Sequence, residues 1–277
     1  WVHKGTYQIG PPIGRRCLMN VGPDLAVITI DGVVSLSQAI RQDRTVVNKA
    51  AITAKIQRAI NEATRNYGTN YGWQFITYPK GTYALLNVPL AEGVLSHQYV
   101  MNTLTGAWCR FIGQKAICWE IFKDRPFFGG VGGIVYEADK SGRDNGELIV
   151  ADMKTAFNHL GQRGMNKSFS MIRALMLADG TAVPSLTINT DYRDFAPSTV
   201  ATPYTATGAV WGSFTWGDGT LWAGGNITLA DWISVNDVGY CVAVRMKIAP
   251  QNSNAAAIPT LQINGFDIKW EGASGSL

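Results

Sequence analysis

Charge is scarce in this chain: Asp, Glu, Lys and Arg make up 16% of its 277 residues, against 46% hydrophobic. That balance excludes an intrinsically disordered protein, which needs high charge and too little apolar surface to build a core. Histidine is scarcer still, with only His3, His97 and His159, and the four cysteines (Cys17, Cys109, Cys118, Cys241) form neither a Cys-x-x-Cys pair nor a cluster with those histidines. Buried free thiols are therefore expected rather than a zinc site, and no metal or cofactor is read from the chain. No segment approaches the roughly 18–20 uninterrupted apolar residues that cross a bilayer as a helix, and no basic-then-apolar leader precedes the first strand. The reading is of a soluble protein. A formal net charge of +4 permits nucleic acid or acidic glycans as partners without predicting either.

Catalytic signatures are missing as well. No nucleophile elbow occurs, and the glycine run Gly129-Gly130-Val131-Gly132-Gly133 leads into a strand instead of opening a helix, so it cannot cradle a phosphate. A glycosidase would need two carboxylates about 5–9.5 Å apart in a cleft. Glu120, Asp124, Glu137 and Asp139 are the candidates, but Asp124 sits in a turn and the last two end a strand. The loop Asp139 to Gly146 has two acids at a spacing that does not match a calcium loop, and a connecting turn is expected there. No catalytic residue is assigned, and the chain reads as a non-enzyme.

What the chain has in quantity is glycine and aromatic side chains, including 30 Gly and nine Trp, the composition of a turn-rich β protein. From Tyr99 to Asp139 short apolar and aromatic segments alternate with closely spaced turns, which predicts a meandering antiparallel sheet like a propeller blade. Residues 17–37 predict two strands around Val21-Gly22-Pro23-Asp24, with a further turn at Asp31-Gly32, and residues 72–90 return to strands around Pro79-Lys80-Gly81. Between them, Ile52, Ile56, Ala59, Ile60, Ala63 and Tyr67 recur at helical spacing, which predicts a helix over 45–67 stopped by Gly68. Its other face carries Lys49, Lys55, Arg58 and Arg65 against Glu62, and with Arg15 and Arg16 these are the candidate contacts to DNA or a neighbouring subunit.

Beyond Asp144 the texture shifts to longer alternating strands. Residues 152–160 can also be read as helical on spacing. Pro184 to Asn189 and Pro259 to Asn264 share the pattern P-[ST]-L-x-I-N, and each follows a longer strand, which predicts two strand pairs facing each other as a β-sandwich. Trp211, Trp216 and Trp222 around Asp218 form a candidate subunit interface or sugar-stacking platform. The expected fold is all-β: a partial propeller of about three blades over 1–143 with the helical insertion at 45–67, then a sandwich over 144–277. Opening at Trp1 in the middle of a β unit, the chain reads as a piece of a longer polypeptide.

The segment GAWCRFIGQKAICWEIFKDRPFFGGVGGIVYEAD, with GRRCLMN, DLAVITIDGVVSLS, YPKGTYALLNVPL, QYVMNT and LQINGFDIKWEG, resembles the tail nozzle (tail tubular protein B-like) proteins of short-tailed bacteriophages and the related packaged-DNA-stabilising hub proteins. The resemblance implies a non-catalytic virion component, made in the bacterial host cytoplasm. It would form a homo-oligomeric ring of six with other tail and adaptor proteins, and would extend and close a conduit for viral DNA. A carbohydrate-binding or glycan-degrading propeller is the alternative expectation.

Overall fold

A computed structural model describes residues 2, 6–41, 51–141, 143–178, 184–197, 227–248 and 261–273. The protein is all-β and divides into two compact units, Trp1–Lys140 and Ser141–Leu277.

The first unit contains three antiparallel meanders in chain order: β1 (Leu18–Val21), β2 (Asp24–Thr29) and β3 (Gly32–Ser35); β4 (Gln74–Tyr78), β5 (Tyr83–Ala91), β6 (Leu95–Asn102) and β7 (Trp108–Ile112); and β8 (Ala116–Phe122), β9 (Arg125–Gly130) and β10 (Val135–Glu137). The period-2 alternation of the middle sheet decides how they stack. Phe75, Ala84, Leu86 and Val88 face a core shared with Ala26, Ile28 and Val33 of the first sheet. Ile76, Leu85 and Val100, one residue out of phase, face a second core with Trp119 and Phe128 of the third. The middle sheet is therefore buried on both faces, which is why β5 reads as an almost unbroken apolar run. The described residues of this unit form three small antiparallel sheets, and the propeller arrangement expected from sequence goes beyond what they show. The Tyr99 to Asp139 segment does not form a single sheet. It supplies β7 and the second half of β6 to the second meander, and all of the third, because the pairing breaks between Ile112 and Ala116.

Among the described residues two helices accompany the sheets. Helix α1 (Leu36–Ala39) is capped by Ser35, whose Oγ accepts from Gln38 N, and Asp24 accepts from both Ser35 and Ser37 hydroxyls. The expected 45–67 helix is shorter: α2 spans Gln57–Tyr67 behind a 3₁₀ turn, Ala54–Ile56. Residues 52 and 53 stay out of it because they are tied to β3, Ile52 N donating to Val33 O (2.9 Å) and Thr53 Oγ1 accepting from Val33 N (3.1 Å). Residues 42–50, including Lys49, lie outside the described residues. Ile60 and Ala63 bury the helix against the first core.

In the second unit a short hairpin, β11 (Arg143–Asp144) and β12 (Glu147–Leu148), precedes two sheets. One orders β13 (Ala151–Lys154), β18 (Val242–Ile248) and β15 (Pro184–Thr190). The other places β14 (Lys167–Ala178) between β19 (Leu261–Gly272) and the two successive strands β16 (Ile227–Leu229) and β17 (Ile233–Gly239). Phe169, Ile172 and Met176 of β14 meet Leu186, Ile188, Val244, Met246 and Ile248 in one core between the sheets. Residues 152–160 form β13 and irregular chain, not a helix, since Met153 and Lys154 are held by pairing with Met246 and Arg245. The two P-[ST]-L-x-I-N strands do not pair with the long strands preceding them. Each crosses to the other sheet: β15 pairs with β18 and β19 pairs with β14. Every step from β13 through β19 that leaves a long strand changes sheets, the interleaving of a reduced jelly roll.

Candidate functional site

Polar side chains in the first unit are spent on joining one sheet to the next. Asn87 and Gln98, both fully buried on β5 and β6, lie on the face turned toward the third sheet. Gln98 Nε2 donates to Asn87 Oδ1 (2.9 Å) and to Gln114 O (3.0 Å). Asn87 Nδ2 donates to Gly72 O (2.8 Å) and Ala116 O (3.2 Å), while its Oδ1 also accepts from Trp119 Nε1 (3.2 Å). Gln74 completes the seam with a two-way bond to the backbone of Trp119, donating at 2.7 Å and accepting at 2.9 Å. These bonds are satisfied in only one sheet-to-sheet register, so they fix how β8–β10 sits on β4–β7. Strand pattern alone gives no signal for them, because an amide at an alternate strand position reads as solvent-facing.

The opposite face of the same sheet holds His97, 8% exposed, ring to ring with Tyr99 (4.9 Å) and with no hydrogen-bond partner for Nε2. Burial, reinforced by the Arg110 cation, depresses its pKa to about 4. In the second unit Lys167 is fully buried without a carboxylate. Its ammonium donates to Gln162 O (2.5 Å), Met165 O (3.0 Å) and Tyr240 O (3.0 Å) and stands over the Trp270 ring (5.8 Å). Sequence reading passed over both residues: neither carries a motif.

Of the basic residues singled out from sequence, those described (Arg15, Arg16, Lys55, Arg58 and Arg65) are exposed and are not gathered into one contact network. Arg15 lies in the turn before β1; Arg16 donates to Gln74 Oε1 (3.3 Å) and stacks over Tyr71 (5.8 Å). Lys55 belongs to the 3₁₀ turn and is engaged, donating to Gly106 O at 2.9 Å. Arg58 and Arg65 stand on the outer face of α2 with Glu62 between them, and neither has an ion pair among the described residues. Trp211, Trp216, Asp218 and Trp222 lie outside the described residues.

The acidic candidates occupy turns and strand ends. Asp124 closes the β8–β9 hairpin with Lys123, both at positive φ (55° and 50°), and offers its carbonyl to Tyr78 Oη (3.2 Å). Glu137 is paired with Arg125 (3.1 Å) and Lys140 (3.3 Å), Glu120 is exposed on β8, and burial raises the pKa of Asp139. The 139–146 loop ends in the β11–β12 hairpin, turned by Asn145 and Gly146 at positive φ. No group of three His, Cys, Asp or Glu is placed to share a metal among the described residues. A shallow concavity lined by Tyr71, Pro89, Val94, Leu95, Lys115 and Ile117 contains none of the acids.

On the sandwich, Arg245 grips Asp152 with two bonds (2.9 and 2.8 Å) and reaches Asp194 (3.0 Å), which holds the Asp152 carboxyl below its usual range. Arg173, on the other sheet, pairs with Asp267 (2.7 Å) and stacks on Trp232 (4.6 Å). Both arrangements clamp neighbouring strands together. No helix among the described residues is long and apolar enough to cross a membrane. No protein-family model matches this chain, and no curated protein matches it.

Proposed function

We propose that this chain is a structural component of a short-tailed bacteriophage tail, a nozzle or hub subunit that assembles as a ring around the path of the viral DNA. The observation that supports this reading is the use of polar chemistry in the first unit. Asn87, Gln98, Gln74 and Trp119 are consumed in locking one meander onto the next, as a scaffold requires. The tail reading comes from the resemblance of the segments quoted above, and the stacked meanders are compatible with it. In this role the protein performs no bond chemistry. Its work is to hold subunit surfaces in fixed orientation, with apolar and aromatic patches excluding water between copies and exposed Arg15, Arg16, Arg58 and Arg65 making non-specific contacts to phosphate or to a neighbouring subunit.

The test is to label purified particles of the encoding virus with antibody raised against this chain. The proposal expects label at the distal tip of the tail. A chain found only in lysate, with unlabelled particles, would remove the viral reading.

A further inference from the structure

We propose that copies of this chain join head to tail through two free sheet edges, β7 of one protomer pairing antiparallel with β10 of the next in the register Arg110 opposite Glu137, Phe111 opposite Tyr136 and Ile112 opposite Val135. This deepens the ring-forming part of the reading above and rests on that part, not on the viral setting.

Both strands are edges in the protomer. The second meander ends at β7, which pairs only with β6, and the third ends at β10, which pairs only with β9. Neither is interrupted by proline or by a bulge, in Trp108-Cys109-Arg110-Phe111-Ile112 or in Val135-Tyr136-Glu137; what guards each is a single charge, and in β10 its three-residue length, and those charges are of opposite sign. Ile112 (71%), Val135 (69%) and Phe111 (40%) are exposed, while Tyr136 and Glu137 are half-buried, Tyr136 stacking on Phe128 at 5.1 Å.

The charges choose the partner. Two β7 strands pairing with each other about their centre would set Arg110 against Arg110, a destabilising opposition. Pairing β7 with β10 instead sets a guanidinium against a carboxylate. The same register places the most exposed aliphatic side chain of each edge, Ile112 and Val135, against each other and sets Phe111 beside Tyr136. One alignment thus satisfies the ion pair, the aliphatic pair and the aromatic pair together. Each protomer carries one edge of each kind, so head-to-tail repetition of the contact closes a ring or extends a filament, whereas two copies exchanging both contacts about a two-fold axis would stop at a dimer. Glu137 already meets Arg125 and Lys140 at its own surface. Those contacts leave its side chain 20% exposed, so Arg110 of the neighbour joins a carboxylate that already holds two cations.

The test is sedimentation equilibrium of the full chain over a concentration series. Wild type is expected to associate, and Arg110→Glu and Glu137→Arg are each expected to weaken association about tenfold or more, which corresponds to about 1.4 kcal/mol. The double variant R110E/E137R is expected to recover most of the loss. Thermal melts establish that each variant folds. Should E137R fail to fold, Ile112→Asp carries the test, since that exposed side chain can change without disturbing the protomer. A chain that stays monomeric, or association indifferent to positions 110, 112 and 137, would overturn the proposal. Unlabelled virus particles with charge-swap-sensitive association would sink the viral reading alone; labelled particles with no such association would sink this one alone.

Discussion

His97 is held neutral by its surroundings, with Val88 behind it on β5, Tyr99 beside it, and Arg110 adding repulsion from β7. Its folded pKa of about 4 lies below the ordinary 6.5. Between those values the unfolded chain binds more protons, so the stability His97 contributes is complete above pH 6.5 and is lost as pH falls toward 4. The melting temperature is expected to drop between pH 7 and pH 4.5, and His97→Phe should flatten that decline. An equally steep decline in the variant would contradict the assignment. Asp152 does not confuse the window, because its depressed pKa moves its own loss to lower pH. On the other face of the sheet, Asn87→Leu would leave the Gly72 and Ala116 carbonyls without the Asn87 donor and Trp119 Nε1 without its acceptor, while Gln98 Nε2 would keep Gln114 O. At about 1–3 kcal/mol for each buried group left unpaired, with some relaxation, the expected cost is about 3 kcal/mol in urea unfolding. A cost under about 1 kcal/mol would mean that the seam is not a lock.

Turns and strand bounds were legible where side-chain chemistry is local. The strands β14, β15, β18 and β19 follow directly from apolar alternation, and the hairpins at Gly22-Pro23 and Pro79-Lys80-Gly81 from their turn residues; at 139–146 a connecting turn was legible but the β11–β12 hairpin was not. What was not legible depends on partners far along the chain. Ile52 and Thr53 have helical spacing but are captured by Val33, which delays α2 to Gln57. Ile112 to Lys115 reads as one more turn of a meander, yet the chain leaves the sheet there. Asn87, Gln98 and Lys167 look like surface residues until the opposing sheet or carbonyls are in place. Asp124 carries an element-scale test. It sits at φ 55° in a two-residue hairpin, where a non-glycine residue costs about 1 kcal/mol, so Asp124→Gly should raise stability by about 0.5–1 kcal/mol while keeping the carbonyl that Tyr78 uses. A lowered melting temperature would show that the turn is held by its side chain instead. In α2, Ile60→Ala removes a side chain that is 1% exposed in the first core, and a loss of about 2–5 kcal/mol in urea unfolding is expected.

At the scale of the molecule, two devices give the chain its rigidity: amides that key one meander to the next, and a sandwich whose sequence repeats exchange their strands. The sandwich cannot form by halves, since β14 gains its neighbour β19 from the far end of the chain and β15 pairs with the later β18. A chain ending at residue 258 should therefore lose hydrogen-exchange protection along β14 as a whole, from Lys167 to Ala178; protection retained there would show that β14 needs no β19. A first unit whose β7 and β10 are unlike edges without a second strand partner among the described residues is suited to circular assembly. The direct measurement is negative-stain imaging and native mass determination of the assembled protein at high concentration: a closed ring of copies, six by the resemblance, around an open channel is the predicted result, and a monomer at every concentration would contradict the account.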